Sequence, residues 1–251
     1  MSGHSKWSTI KRKKGAADAK RGKIFSKLAK EITVAARMGG GDPDMNPRLR
    51  TILMASKSEN MSKENVARAI KKGTGEIEGA IYEENRYECY AAAGVGVIID
   101  TLSDNKNRTV ADVRHTITKA GGSMAENGAV SWNFEQKGTL SIDKDGLSEE
   151  AIFEKATEAG AEDVDMDGDL YSIFTDPGDL HNVIGALEGM GLEVKEAKLT
   201  MIPKTTVAVD GKDLASVMKL MDALEDCEDV QEVYSNVEIS DEAMAAFMEE
   251  E

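Results

Sequence analysis

From Ile24 to Ala35 the apolar residues Ile24, Phe25, Leu28, Ile32 and Ala35 recur at three- and four-residue steps, the period of an amphipathic helix. This predicts a helix from about Ala16 that stops at Gly39-Gly40-Gly41. Asn46-Pro47 predicts a second, with Asn as cap and Pro at the first helical position, burying Leu49, Ile52 and Leu53. A third starts at Ser62, presents Val66, Ala69 and Ile70, and ends at Gly73. Three short helices with one apolar face each predict a small bundle.

Beyond an acidic linker from Gly73 to Gly79 the period shortens to that of strands, predicted at 84–93 and 95–102. A helix over about 107–120 follows, with Val110, Val113 and Ile117 on one face and Gly121-Gly122 as its stop. In the stretch 129–135, Val130, Trp132 and Phe134 alternate with polar neighbours, which predicts a strand with all three facing the core. From Gly138 the predicted order is strand 139–142, helix 148–159, strands 163–166 and 170–174, helix 179–190 and strand 192–202. That is βαββαβ, the order of a four-stranded antiparallel sheet with both helices on one face. A strand at 205–209, a helix carrying Leu214, Val217, Met218, Met221 and Leu224, and a strand at 230–237 complete a second αβ set, and the acidic tail from Ser240 is expected to be a short frayed helix.

The expected fold class is therefore α+β and multidomain. An N-terminal three-helix bundle (1–80) precedes two ferredoxin-like αβ sandwich domains. One is discontinuous, 81–137 with 205–251, and the other, 138–204, is inserted in it.

Charge sharpens this division. The chain has 251 residues and a formal net charge of −15, from 31 Lys and Arg against 46 Asp and Glu. Residues 1–80 hold 18 basic and 8 acidic side chains, a net of +10, and residues 81–251 hold 13 and 38, a net of −25. No apolar run reaches the roughly 20 residues that span a bilayer, so no membrane partner is expected and the chain is expected in the cytoplasm. Cys89 and Cys227 form no CxxC and suit a reducing compartment.

Ten of the first 30 residues are basic against one acid, Asp18. Lys6, Lys11, Arg12, Lys13, Lys14, Lys20, Arg21, Lys23, Lys27 and Lys30 are candidate phosphate contacts, because cations that neutralise phosphates release condensed counterions. Trp7 offers a face for base stacking. A second candidate is an anion or partner site at Asn105, Asn107, Arg108 and Arg114, where a helix N-terminus meets two guanidinium groups. The plainer alternative has Asn107 capping that helix, Thr109 adding a local bond and Arg108 in an ordinary ion pair.

Other chemistries lack their anchors. Asp163-Val164-Asp165-Met166-Asp167-Gly168 imitates the start of a calcium loop, but its twelfth position is Phe174, and an acidic hairpin turn is expected instead. His4, His115 and His181 have no metal-ligand spacing, and no phosphate-binding Gly loop or nucleophile elbow occurs. No catalytic residue, metal or cofactor is expected. The remaining enzyme hypothesis is a metal-dependent hydrolase using the acidic turn at 163–169. An RNA-recognition-motif reading fails because its aromatic string is absent.

The stretches Gly3-His4-Ser5-Lys6-Trp7, Lys13-Lys14, Asp18, Lys20-Arg21, Phe25 and Lys30-Glu31-Ile32 resemble the YebC/PmpR family, which includes the mitochondrial translational activator of cytochrome c oxidase. The resemblance continues through Gly40-Gly41-Asp42-Pro43, Asn60-Met61, Arg68-Ala69-Ile70, Asp104-Asn105, Asn107-Arg108-Thr109, Val113-Arg114-His115 and Ser131-Trp132. Ser62 stands where members commonly have Pro, and Ala91-Ala92-Ala93 replaces a Gly/Pro-rich turn. The resemblance implies the same three-domain architecture and a non-enzymatic regulator of gene expression. Two accounts exist in the family: a DNA-binding transcriptional regulator, and a ribosome-associated factor that binds ribosomal RNA and relieves stalling at proline-rich stretches.

Overall fold

The computed structural model describes residues 17–144, 146–167 and 170–249, of which 17–21, 166, 167, 241, 248 and 249 are described by backbone alone. The chain forms two compact units, one from residues 24–79 and 136–201, the other from 17–23, 80–135 and 202–249.

In the first unit, α1 (Ala17–Gly39), α2 (Pro47–Ser58) and α3 (Lys63–Thr74) are the expected helices. One buried side chain joins two helix ends. Asn46 donates through Nδ2 to the carbonyls of Ala35 and Gly40 at the end of α1, while its Oδ1 accepts from Leu49 N–H at the start of α2. Ile32, Ala35, Leu49, Ile52, Met61 and Ala69 form the bundle core. The third helix runs past its expected stop at Gly73 to Gly75, which adopts the left-handed conformation at φ 83°. Gly73 has a packing role instead: a Cβ there would lie 2.4 Å from the Thr33 carbonyl and 2.7 Å from the Ala36 methyl on α1.

The same unit contains α5 (Glu149–Glu158), β5 (Asp163–Asp167), β6 (Leu170–Thr175), α6 (Leu180–Gly189) and β7 (Val194–Pro203) behind β4 (Phe134–Asp143). The sheet order is β5-β6-β4-β7, that of a ferredoxin-like βαββαβ unit. Its core is built from Leu140, Ile142, Ile152, Tyr171, Ile173, Val183 and Leu187. β5 and β6 pair antiparallel from Asp163 opposite Phe174 to Asp167 opposite Leu170, so the acidic segment is a hairpin arm.

In the second unit, β1 (Glu83–Tyr90) and β2 (Gly96–Ser103) form a central hairpin flanked by β3 (Ser123–Ala125) and β9 (Val230–Ser235), in the order β3-β1-β2-β9. α4 (Lys106–Lys119) and α7 (Gly211–Glu225) share its core through Val113, Ile117, Leu214, Val217, Met221 and Leu224. The expected strand 84–93 stops at Tyr90, because Ala92–Gly94 is a tight turn with Ala93 at φ 55°. The expected strand 230–237 is divided at Asn236. This residue accepts from Gly96 N–H through its side chain, and the chain then leaves β2 to pair β10 (Val237–Glu238) in parallel with β8 (Val207–Ala208). The tail is better anchored than a frayed helix: α8 (Asp241–Glu249) packs Ala243, Met244 and Phe247 against the core.

Candidate nucleic-acid interface

Lys6, Trp7, Lys11, Arg12, Lys13 and Lys14 lie outside the described residues. Lys20 and Arg21 fall in the first turns of α1, described by backbone alone. Lys23 is engaged by an acid, its Nζ 2.7 Å from Asp226 Oδ1, but both groups are more than half exposed and such a pair is weak. Lys27 and Lys30 are half-buried on α1 and hold interactions of their own.

α3 adds cations not singled out from the sequence. Arg68, Lys71 and Lys72 are exposed, and the two lysines lie three and four residues after the arginine, which places all three on one helix face. Arg68 meets Glu64 only at 3.5 Å. The signal was present as a charge triplet on a helix, but a solvated face has the same pattern.

The second candidate site is rearranged by its neighbours. Asn105, not Asn107, caps α4: its Oδ1 accepts from Arg108 N–H at 3.1 Å, because the helix begins at Lys106 and the cap must precede it. Asn107 is exposed. The Arg108 guanidinium lies 2.9 Å from Asp104 and 2.7 Å from the buried Asp229, and the hydrogen bonds to Asp229 and Asp104 hold its pKa above the ordinary value. Asp229 Oδ2 also accepts from Thr109 Oγ1 at 2.8 Å and Ser103 Oγ at 3.1 Å. These groups latch the end of β2, the start of α4 and the loop before β9. Arg114 is exposed six residues on, about 120° around the helix from Arg108, so the structure does not bring the two guanidinium groups together.

A third feature corrects the expected strand at 129–135. Glu88 projects from β1 and is buried, and its carboxylate accepts from the backbone N–H groups of Gly128, Val130 and Ser131. Those bonds fold the segment into a turn, Ser131–Asn133, with strand geometry resuming only at Phe134. Alternation across a pleat is lost there. Val130 and Phe134 are buried, whereas Trp132, expected in the core, is 68% exposed. Its Nε1–H donates to the Ala129 carbonyl at 2.9 Å, and Tyr90 Oη–H donates to the same oxygen at 2.9 Å. Burial pushes the Glu88 carboxyl up, but the three N–H groups and the Ser131 hydroxyl outweigh it and leave the carboxyl below its ordinary range.

Among the described residues no group of three or more His, Cys, Asp or Glu side chains is placed to hold a metal ion, and no helix is long and apolar enough to cross a membrane.

Residues 5–76 match the TACO1/YebC protein N-terminal domain, and residues 82–237 match the TACO1/YebC second and third domain. A probable transcriptional regulatory protein of Desulforapulum autotrophicum is 55% identical over 246 residues, 98% of this chain and 100% of the relative. One from Geobacter sulfurreducens is 55% identical over 248 residues, 99% of this chain and 100% of the relative. The crystal structure of a conserved hypothetical protein from Aquifex aeolicus superposes with a TM-score of 0.82 at 46% identity, covering 89% of this chain and 93% of that one. The chain belongs to the TACO1/YebC family.

Proposed function

We propose that the protein is a non-enzymatic, nucleic-acid-binding regulator of gene expression that works in the cytoplasm as a DNA-binding transcriptional regulator. The observation that carries this reading is the segregation of charge. Residues 1–80 hold a net of +10 in a chain of net −15, and the described part of that segment displays Arg68, Lys71 and Lys72 on one exposed face. Clustered cations attract a polyphosphate by counterion release, while an acidic remainder limits how far the nucleic acid extends over the protein. In this reading residues 1–80 are the binding module, 81–137 with 205–251 form a discontinuous αβ domain, and 138–204 are inserted in it. The names of the curated relatives support a regulatory role.

Anisotropy titrations of the full chain against promoter and random duplexes test the reading, with ribosome co-sedimentation alongside. Tighter, salt-sensitive binding to promoter DNA is expected. Equal retention on both duplexes together with co-sedimentation would replace the transcriptional form by ribosomal RNA as the working target.

A further inference from the structure

We infer that Tyr90 and Trp132 form a stacking platform for an unpaired nucleobase, a second nucleic-acid contact on the acidic part of the chain. Tyr90 and Trp132 are 39% and 68% exposed, although each carries a large apolar ring. Both polar tips bond one oxygen, the Ala129 carbonyl, so Nε1 and Oη lie within about 6 Å of each other and the rings are held in fixed orientations. The turn beneath them is fixed in its turn by the buried Glu88 carboxylate. The result is a pair of exposed aromatic residues tied to one carbonyl, with their hydrogen-bonding tips already engaged.

Those engaged tips select the occupant. A proline-rich peptide docks between aromatic rings while donors at their edges hold its carbonyls, and here the indole N–H and the phenol O–H are already committed to Ala129. A nucleobase needs only a face, since every base stacks through its π surface. Stacking also suits a net-acidic body, because the base itself carries no charge. For the attached phosphate a cation is close by in the fold: the Lys204 N–H donates to the carbonyl of Asn133, the residue after Trp132, at 2.7 Å, and Lys204 is exposed. Duplex DNA keeps its bases stacked on each other, so the platform selects single strands or looped-out bases.

The inference rests on the nucleic-acid reading above, and the experiment separates the two. Trp7 and Trp132 are the two tryptophans of the chain, so Trp7→Phe leaves Trp132 as the sole indole reporter. Full-length Trp7→Phe protein is titrated with a 12-nucleotide single-stranded RNA, the matching duplex and a proline-rich peptide, with binding followed by anisotropy of the labelled probe and stacking by Trp132 emission. The single strand is expected to quench Trp132 and the duplex to leave it unchanged. Adding Trp132→Ala is expected to weaken single-strand affinity about tenfold or more, with Trp132→Phe retaining most of it. Complete single-strand binding without quenching, or unchanged affinity in Trp132→Ala, overturns the platform and leaves the nucleic-acid reading standing. Quenching by the peptide alone assigns the surface to a protein partner. No anisotropy change with any nucleic acid, in wild-type protein as well as in Trp7→Phe, overturns both.

Discussion

The carboxylate of Glu88 and the backbone N–H of Val130, forty-two residues apart, are hydrogen-bonded in a buried site. The bond converts what would be the first half of a strand into the turn that exposes Trp132.

Replacing Glu88 with Ala leaves the buried Val130 N–H and the part-buried N–H groups of Gly128 and Ser131 without their acceptor and should destabilise the unit by about 1–3 kcal/mol in denaturant unfolding. Glu88→Gln, which retains one acceptor oxygen, should lose less. The pH dependence follows from the lowered carboxyl pKa: ionised Glu88 stabilises the fold above the unfolded value of about 4.3, and this contribution disappears as pH falls through the lower folded value. The stability gap between wild type and Glu88→Gln should therefore narrow below about pH 4. A gap of constant size down to pH 2 would remove the carboxylate's charge from the account.

The buried Asp229 receives Ser103, Thr109 and the exposed Arg108, and the two ends of the ion pair are unequal. Asp229→Ala leaves the buried Ser103 hydroxyl without its acceptor and takes one acceptor from Thr109, which keeps the Asn105 carbonyl, and should cost about 1–3 kcal/mol. Arg108→Ala leaves Asp229 with both hydroxyl donors, while the guanidinium position is open to water, so its effect should be clearly the smaller. Equal losses in thermal unfolding of the two variants would place the weight on the ion pair instead of the hydroxyl network.

Ala93 holds φ 55° between β1 and β2, in the turn Ala92–Gly94. A Cβ in the left-handed region costs about 1–2 kcal/mol, which glycine does not incur. Ala93→Gly should raise stability by about 1 kcal/mol, less its greater freedom in the unfolded chain. A loss in melting temperature would show that the methyl makes a contact outweighing the strain.

Gly73 poses the opposite conflict. Alanine is the better helix former by about 1 kcal/mol, yet a methyl at this position would sit 2.4 Å from a backbone oxygen of α1, an atom that cannot rotate away. Gly73→Ala should therefore destabilise the bundle by about 1–3 kcal/mol. Circular dichroism during denaturation tests the sign.

The helices were readable in the sequence because their signals are local. Asn46 and Ser62 cap where an Asn or Ser before an apolar period should, and Pro47 follows its cap. Trp132 was misplaced because alternation over seven residues is also what a turn can display when a distant carboxylate gathers its N–H groups, and Glu88 carries no mark in β1 that it will do so. Ala93 was unreadable for the same kind of reason: alanine has no preference for the left-handed region, and closure of the β1–β2 hairpin imposes it. At the candidate interface, the cations of the first 30 residues were conspicuous as a run, whereas Arg68, Lys71 and Lys72 become a group only when α3 packs Ala69 and Gly73 inward.

Those three cations yield the most direct functional prediction. The triple variant Arg68→Ala, Lys71→Ala, Lys72→Ala should fold normally, because all three residues are exposed and alanine favours the helix. If the face contacts phosphates, each lost contact should reduce the slope of log affinity against log salt by about 0.9 for duplex DNA, and affinity should fall similarly for unrelated sequences. A second variant, Lys11, Arg12, Lys13 and Lys14 to Ala, should act additively if both regions touch the same nucleic acid. A changed slope in the second variant and an unchanged one in the first would confine the grip to the N-terminal run and make α3 a solvated face. Unchanged slopes in both would take phosphate binding away from the α3 face and from Lys11–Lys14.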